Sequence, residues 1–191
     1  MSLDLPGFAD PVAQAQGCFR AVLNALSRPG RLCEAGAGLT PPTPLDAATG
    51  AVLLTLLDGD TTLWLDAACG AAREWLAFHT GAPVCAAPAD ADFLLCRDLP
   101  DLAGVQAGSD EAPEDGATVI LQVPALGRGR AMRLFGPGLR DPAELRVDGL
   151  PAGFASSWQA NHARFPLGVD LILCAGTRLA ALPRSVAVES L

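Results

Sequence analysis

The sequence predicts a layered α/β domain whose sheet is partly antiparallel. Segments with helical spacing of apolar residues alternate with short apolar runs typical of buried strands. Three strand-like segments, at 91–96, 117–123 and 131–135, have no helical segment between them, which favours antiparallel neighbours. A chain of 191 residues is the length of one domain, and we expect residues 1–191 to form it.

The first predicted helix begins at Asp10 and ends just before Pro29-Gly30. Aspartate is a good N-cap, and the proline that follows it suits the first helical position. Proline and glycine then stop the helix, and residues 31–44 read as a loop. The apolar stripe of this helix is Val12, Ala15, Phe19, Val22 or Leu23, and Leu26.

The remaining elements are predicted from apolar runs and the turn residues between them. Further helices are expected at 45–57, 67–78 and 151–163, and further strands at 61–65, 144–148, 169–174 and 185–188. An acidic, turn-rich stretch at 98–116 is the expected flexible loop. The run Gly127-Arg128-Gly129-Arg130 is expected to be a solvated hairpin turn.

Charge and composition exclude several classes of function. A net charge of −8 disfavours binding to nucleic acids and to anionic membranes, because both are polyanions. No apolar run is long enough to span a membrane. All 13 basic residues are arginine, so neither a lysine Schiff base nor a Walker-type lysine is possible. Residues 1–10 lack the basic and apolar parts of a secretory signal, so we expect a cytoplasmic protein.

Six cysteines are spread along the chain without a C-x-x-C pair. In a reducing compartment we expect most of them to be buried thiols, since free cysteine packs as a small hydrophobe. A zinc site needs about four clustered cysteine or histidine ligands. With only two histidines in the chain, no metal site is predicted.

Asp170 and Arg184 are the most informative charged residues. Asp170 interrupts an apolar strand, and a buried carboxylate is costly unless it is paired. It either forms a structural ion pair with an arginine such as Arg164 or Arg184, or serves as a polar anchor at a site or subunit contact. Arg184 precedes Ser185, and an arginine beside a hydroxyl suits a phosphate or phosphonate group. The alternative is that its stem packs on the surface and its head faces solvent.

Two histidines complete the set of candidates. His79 and His162 each lie near the end of a predicted helix, where histidine commonly donates to the last carbonyls. A ligand-binding or acid–base role is the alternative for each. If the chain binds a ligand, the candidate residues are Arg28, His79, Asp170, Arg184 and Ser185.

The order of short phrases along the chain resembles the PhnH family, the H subunits of the bacterial carbon–phosphorus lyase system. The phrases run through most of the chain in the family's order. They are Gly7-Phe8-Ala9-Asp10-Pro11-Val12, Arg28-Pro29-Gly30, Leu53-Leu54-Thr55-Leu56-Leu57-Asp58, Phe78-His79-Thr80-Gly81-Ala82-Pro83, Pro113-Glu114-Asp115-Gly116-Ala117-Thr118-Val119-Ile120-Leu121, Gly136-Pro137-Gly138-Leu139, Phe165-Pro166-Leu167-Gly168-Val169-Asp170-Leu171-Ile172-Leu173 and Leu182-Pro183-Arg184-Ser185. Two departures are that Ser185-Val186 stands where the family usually has two threonines, and Phe135 where it often has a small hydroxyl residue.

This resemblance implies a fold and a role. The implied fold is a three-layer α/β/α sandwich with a mixed sheet, similar to the large domain of pyridoxal-phosphate-dependent transferases but without that cofactor. The implied assembly is a homodimer that joins the G, I and J subunits. Together with the G, I and L subunits, the family is required to form α-D-ribose 1-methylphosphonate 5-triphosphate from ATP and methylphosphonate, with release of adenine. No catalytic residue is carried over, so an accessory subunit is expected, with a phosphonate- or nucleotide-binding subunit that has its own catalytic residues at the dimer interface as the alternative.

Overall fold

The computed structural model describes residues 5–191. Residues 1–4, which belong to the segment 1–10 that we expect not to be a secretory signal, lie outside it. Within residues 5–191, four α-helices and nine strands occur, and helices alternate with strands up to the third helix. The helices are α1 Pro11–Ser27, α2 Ala47–Leu56, α3 Arg73–Thr80 and α4 Phe154–His162. The strands are β1 Cys33–Glu34, β2 Leu63–Leu65, β3 Phe93–Cys96, β4 Thr118–Gln122, β5 Ala125–Phe135, β6 Ala143–Asp148, β7 Asp170–Ala175, β8 Arg178–Leu182 and β9 Ala187–Ser190.

Six of the strands form a mixed sheet in the order β1-β8-β7-β4-β3-β2. Strands β2, β3, β4 and β7 are parallel, whereas β8 and β1 are antiparallel to their neighbours. The sheet is mixed, as predicted. The prediction that the strand-like segments at 91–96, 117–123 and 131–135 supply its antiparallel part was wrong. The strands at 93–96 and 118–122 are parallel because the long segment between them returns the chain to the same edge without a helix of more than one turn.

The other three strands form a separate antiparallel sheet in the order β6-β5-β9. Strand β5 corrects the prediction of a hairpin turn at 127–130, because this run lies inside one strand of 11 residues. Leu126 and Arg130 both face Val147, so the intervening residues form a bulge. Gly127 and Gly129 have φ values of 84° and 88°, which glycine adopts without strain.

Helices α1, α2 and α3 cover one face of the six-stranded sheet and share an apolar core with it. The three-layer arrangement implied helices on the second face too, yet that face is covered by the small sheet together with α4. The small sheet can cover this face because buried and exposed residues alternate along β5 and β6, which gives the sheet one apolar side. Met132, Leu134, Leu145 and Val147 face the large sheet, while their sequence neighbours face solvent.

Local signals set most helix boundaries. The Asp10 carboxylate accepts the Ala13 N–H at 3.1 Å, as expected of an N-cap. The predicted third helix divides into a 3-10 helix at Ala67–Ala72 and α3. The acidic stretch contains two 3-10 turns, and its Leu102 and Val105 are buried in the core below the small sheet. Between residues 5 and 191, no helix is both long and apolar enough to cross a membrane.

Candidate functional site

Asp170 and Arg184 form an ion pair at the amino edge of the parallel strands. Asp170 is the first residue of β7, and Arg184 follows the end of β8. The guanidinium Nη2 lies 2.7 Å from Asp170 Oδ2, and Nε lies 3.2 Å from both carboxylate oxygens. The backbone N–H of Arg184 also donates to Oδ1, at 2.7 Å. The ion pair predicted as one alternative for Asp170 is therefore present, with Arg184 as its partner.

The Arg184 guanidinium also holds the segment that precedes β4. Its Nη1 donates to the carbonyl oxygen of Pro113 at 2.7 Å, and its Nη2 to that of Gly116 at 3.1 Å. The side chains of Arg184 and Asp170 are only 12% and 24% exposed. Because every nitrogen of this guanidinium donates to a group of the chain, the geometry favours a structural role for the pair.

Helix α4 is attached to the same region through its polar side chains. The buried Asn161 side chain donates to the Val169 carbonyl and accepts the Val169 N–H, both at 2.9 Å. The His162 ring nitrogen Nδ1 donates to the Arg184 carbonyl at 3.0 Å. Ser185 follows at a partly exposed position. Asn161 is not among the candidates predicted from the sequence, because residue type alone does not show that its amide joins α4 to Val169, directly before β7.

The other two candidates lie elsewhere. The Arg28 guanidinium donates to the Asn24 side chain at 2.9 Å, beside the end of α1. His79 Nε2 donates to the Leu5 carbonyl at 3.1 Å, and its ring lines a cavity of about 310 Å³ next to α1. Within residues 5–191, neither shares a hydrogen bond with the Asp170–Arg184 pair. The structure thus brings Asp170, Arg184 and Ser185 together and separates Arg28 and His79 from them.

The thiols are mostly buried, as predicted. Four of them, Cys18, Cys69, Cys96 and Cys174, are buried and unpaired, and Cys33 and Cys85 are partly exposed. Burial raises the pKa of Cys69 to about 12, with the nearby Asp66 adding to the shift. Burial likewise raises the pKa of the other three buried thiols. No cluster of three or more potential metal ligands occurs among the residues that the structure describes.

A second polar region, which the sequence analysis missed, lies at the opposite edge of the large sheet. Here a cavity of about 560 Å³ is bounded by the chain following β4 and by the turn between β7 and β8. Arg128 and Arg178 both line it. Only the pairing of β4 with β7 places these two arginines together, because 50 residues separate them in the sequence.

Comparison with known proteins identifies related sequences of nearly the same length. Residues 6–189 match the family model "Bacterial phosphonate metabolism protein (PhnH)". The chain is 38% identical to the alpha-D-ribose 1-methylphosphonate 5-triphosphate synthase subunit PhnH of Rhizobium meliloti (strain 1021), over 95% of this chain and 94% of that protein. It is 37% identical to the putative C-P lyase subunit protein HtxG of Stutzerimonas stutzeri, over 91% of this chain and 85% of that protein.

Proposed function

The chain belongs to the PhnH family of bacterial phosphonate metabolism proteins, and on that basis we propose that it is a subunit of the carbon–phosphorus lyase complex. In this role it works with partner subunits to form α-D-ribose 1-methylphosphonate 5-triphosphate from ATP and methylphosphonate in the cytoplasm. The partners are a second copy of the chain and the G, I and J subunits, with the L subunit required for the reaction. The observation that carries the proposal is the near full-length similarity to a relative named as a subunit of that synthase.

The side-chain chemistry supports an accessory role. Each histidine ring donates to a backbone carbonyl, that of Leu5 for His79 and that of Arg184 for His162. In the part of the chain that the structure describes, neither ring is hydrogen-bonded to a carboxylate, hydroxyl or thiol. A histidine-activated nucleophile needs such a contact, so this arrangement favours a subunit that shapes the complex.

We propose that the second copy docks on α1. One flank of this helix exposes Val12, Phe19 and Leu23, which are 81%, 46% and 48% accessible to solvent. They are spaced at helical intervals and form one apolar stripe. An exposed apolar stripe is typical of an interaction surface, and the homodimer implied by the resemblance to the PhnH family favours a second copy of this chain as its occupant.

Light scattering on the purified chain tests the proposed dimer. We expect a dimer for the natural chain and a monomer for the double variant Val12→Ser, Phe19→Ser. The matched control is Phe165→Ser, since Phe165 is also exposed but lies beyond α4, and this variant should remain dimeric. A monomeric natural chain, or a double variant that stays dimeric, would contradict the proposed surface.

Complementation tests the proposed function itself. A bacterium that uses methylphosphonate as its only phosphorus source, and that lacks its own PhnH gene, is supplied with a tagged copy of this chain. We expect growth to be restored and the G, I and J subunits to co-purify with the tag. Growth restored without co-purification would refute the role as a subunit. A folded chain that fails to restore growth would refute the role in phosphonate use.

The finer features of the fold are also proposals. We infer that residues 1–191 are one PhnH-like domain and that the six-stranded sheet corresponds to the large domain of pyridoxal-phosphate-dependent transferases. The absence of lysine supports a version of that fold without the cofactor, since no Schiff base can form. Superposing the large sheet on such a domain tests the correspondence, which requires the same strand order and directions.

A further inference from the structure

The cavity at the carboxyl edge of the large sheet lies beyond the ends of the parallel strands β4 and β7. Its walls are residues 124–128, which follow β4, and residues 175–178, which join β7 to β8. The Asp170–Arg184 pair lies at the other edge and does not contribute to this cavity. A volume of about 560 Å³ falls in the range of small-molecule sites.

Arg178 is held in place on one wall. Its Nη2 donates to the Leu126 carbonyl at 3.1 Å, which ties the guanidinium to the chain that leads into β5. Its Nη1 lies 3.9 Å from the point that a Cβ on Gly127 would occupy, so the group sits close to that glycine. Among residues 5–191, Arg178 has no carboxylate partner within ion-pair distance. The remaining N–H groups of the Arg178 guanidinium are therefore available to a ligand.

Arg128 lies in the bulge of β5, on the other wall. It is flanked by Gly127 and Gly129, whose positive φ values let the chain bend there. A side chain at Gly129 would collide with the backbone of Asp148, so the bulge is held closely against β6. The Arg128 side chain forms no hydrogen bond or ion pair with the part of the chain that the structure describes. Its guanidinium is thus a second unpaired cation at the cavity.

The cavity is cationic in an otherwise acidic protein. Its lining contains two guanidinium groups and no carboxylate, although the net charge of the chain is −8. Carboxylates lie just behind the lining, since Glu34 is the cross-strand partner of Arg178 and Asp148 is that of Ala125. Asp46 accepts the Gly176 N–H at 2.9 Å, and Glu34 accepts the Thr177 hydroxyl at 2.9 Å. Between residues 5 and 191, neither guanidinium forms an ion pair with a carboxylate, so both can contact an anionic ligand.

We propose that this cavity binds the phosphate or phosphonate group of a small molecule through Arg128 and Arg178. Arginine forks donate two parallel hydrogen bonds to such oxygens, and the tetrahedral group presents three of them. The volume leaves room for the rest of the molecule beside the anionic group. The position of the site and the anionic class of its ligand follow from the cavity and its charge, whereas the choice of a phosphonate rests on the proposed function.

Calorimetric titration of the purified full chain at low ionic strength tests the site. The probes are inorganic phosphate, methylphosphonate and inorganic triphosphate, which distinguish a free phosphate, a phosphonate and a polyphosphate group as the source of the anion. We expect at least one to bind, with an affinity that falls as salt is added. Each of Arg128→Gln and Arg178→Gln should weaken that binding roughly tenfold. The control is Arg133→Gln, an arginine on the outer face of the same strand, which should bind like the natural chain.

Backbone amide shifts in an NMR titration locate the anion independently of the variants. We expect the amides of Gly127 and Gly176 to shift on addition of the probe that binds, since both residues line the cavity. The proposal is overturned if no probe binds the folded natural chain, if Arg133→Gln weakens binding as much as Arg128→Gln, or if the shifts cluster away from the cavity. The isolated chain is used, so failure here is separate from failure to join a complex or restore growth.

Discussion

Replacing Arg184 by alanine should destabilise the folded chain far more than removal of an ordinary surface arginine. The substitution deletes the bidentate contact with Asp170 and two hydrogen bonds, to the carbonyls of Pro113 and Gly116. Asp170 then keeps only the Arg184 backbone N–H, although it remains largely buried. Removing one partner of a buried ion pair lowers the free energy of unfolding by about 3–5 kcal/mol. Because this pair is partly exposed, we expect the lower end of that range, about 3 kcal/mol. For a chain of this length, that corresponds to a fall of about 6–12 °C in Tm.

Urea unfolding followed by tryptophan fluorescence measures this loss. Trp158 is a suitable reporter because its indole N–H donates to the Val186 carbonyl at 2.7 Å, two residues beyond Arg184. The control is Arg146→Ala, which breaks an ion pair whose side chains are 50% and 49% exposed, and it should cost under about 1 kcal/mol. Arg184→Lys should fall between the two, since lysine keeps the charge but loses the fork. If Arg184→Ala costs no more than the control, the structural role assigned to this pair is wrong.

Three further predictions concern packing and the thiols. Gly116→Ala places a Cβ against the Arg184 guanidinium and the Gly168 carbonyl, and it should lower the free energy of unfolding in urea by about 1–3 kcal/mol. In the control Gly153→Ala, the added Cβ meets nothing within 4 Å, so stability should change by less than about 1 kcal/mol. Equal effects of the two substitutions would contradict this prediction. In the folded chain, a thiol-specific reagent should modify Cys33 and Cys85 but not the four buried cysteines, and rapid modification of all six would show that those sites open. Because burial raises the pKa of the buried thiols above the ordinary value of 9.0, the unfolded chain loses protons first as pH rises. The free energy of unfolding should therefore fall above about pH 9, by up to about 1.4 kcal/mol per pH unit for each such thiol, and a flat profile between about pH 8 and about pH 10 would contradict this.

Elements with a local signal were predictable, as α1 and β4 illustrate. The cap at Asp10, the proline after it and the Pro29-Gly30 pair that stops the helix all act within a few residues of α1. The β-branched run that forms β4 is buried almost throughout, so its composition was sufficient to predict a buried strand. The bulge in β5 was mistaken for a turn because glycine with positive φ serves both structures, and only pairing with Val147 distinguishes them.

The candidate site was only partly predictable for a similar reason. The sequence marks Asp170 as a carboxylate that needs a partner, and the choice of Arg184 follows from β7 and β8 being antiparallel neighbours. From the sequence, Arg28 and His79 were equally good candidates for binding a ligand. In the structure, Arg28 donates a hydrogen bond to Asn24 and His79 donates one to the Leu5 carbonyl. Residue type alone does not show whether a polar group is already paired.

By itself, the sequence determined the α/β class, the acidic and lysine-free chemistry, and the family to which the chain belongs, since these depend on composition and on the order of short motifs. Only the tertiary structure decided that the second face of the sheet carries a small antiparallel sheet, that Asp170 pairs with Arg184, and that Arg128 and Arg178 line one cavity. These features join residues that are distant along the chain. Their positions depend on strand order and register, which arise from the packing of the whole core.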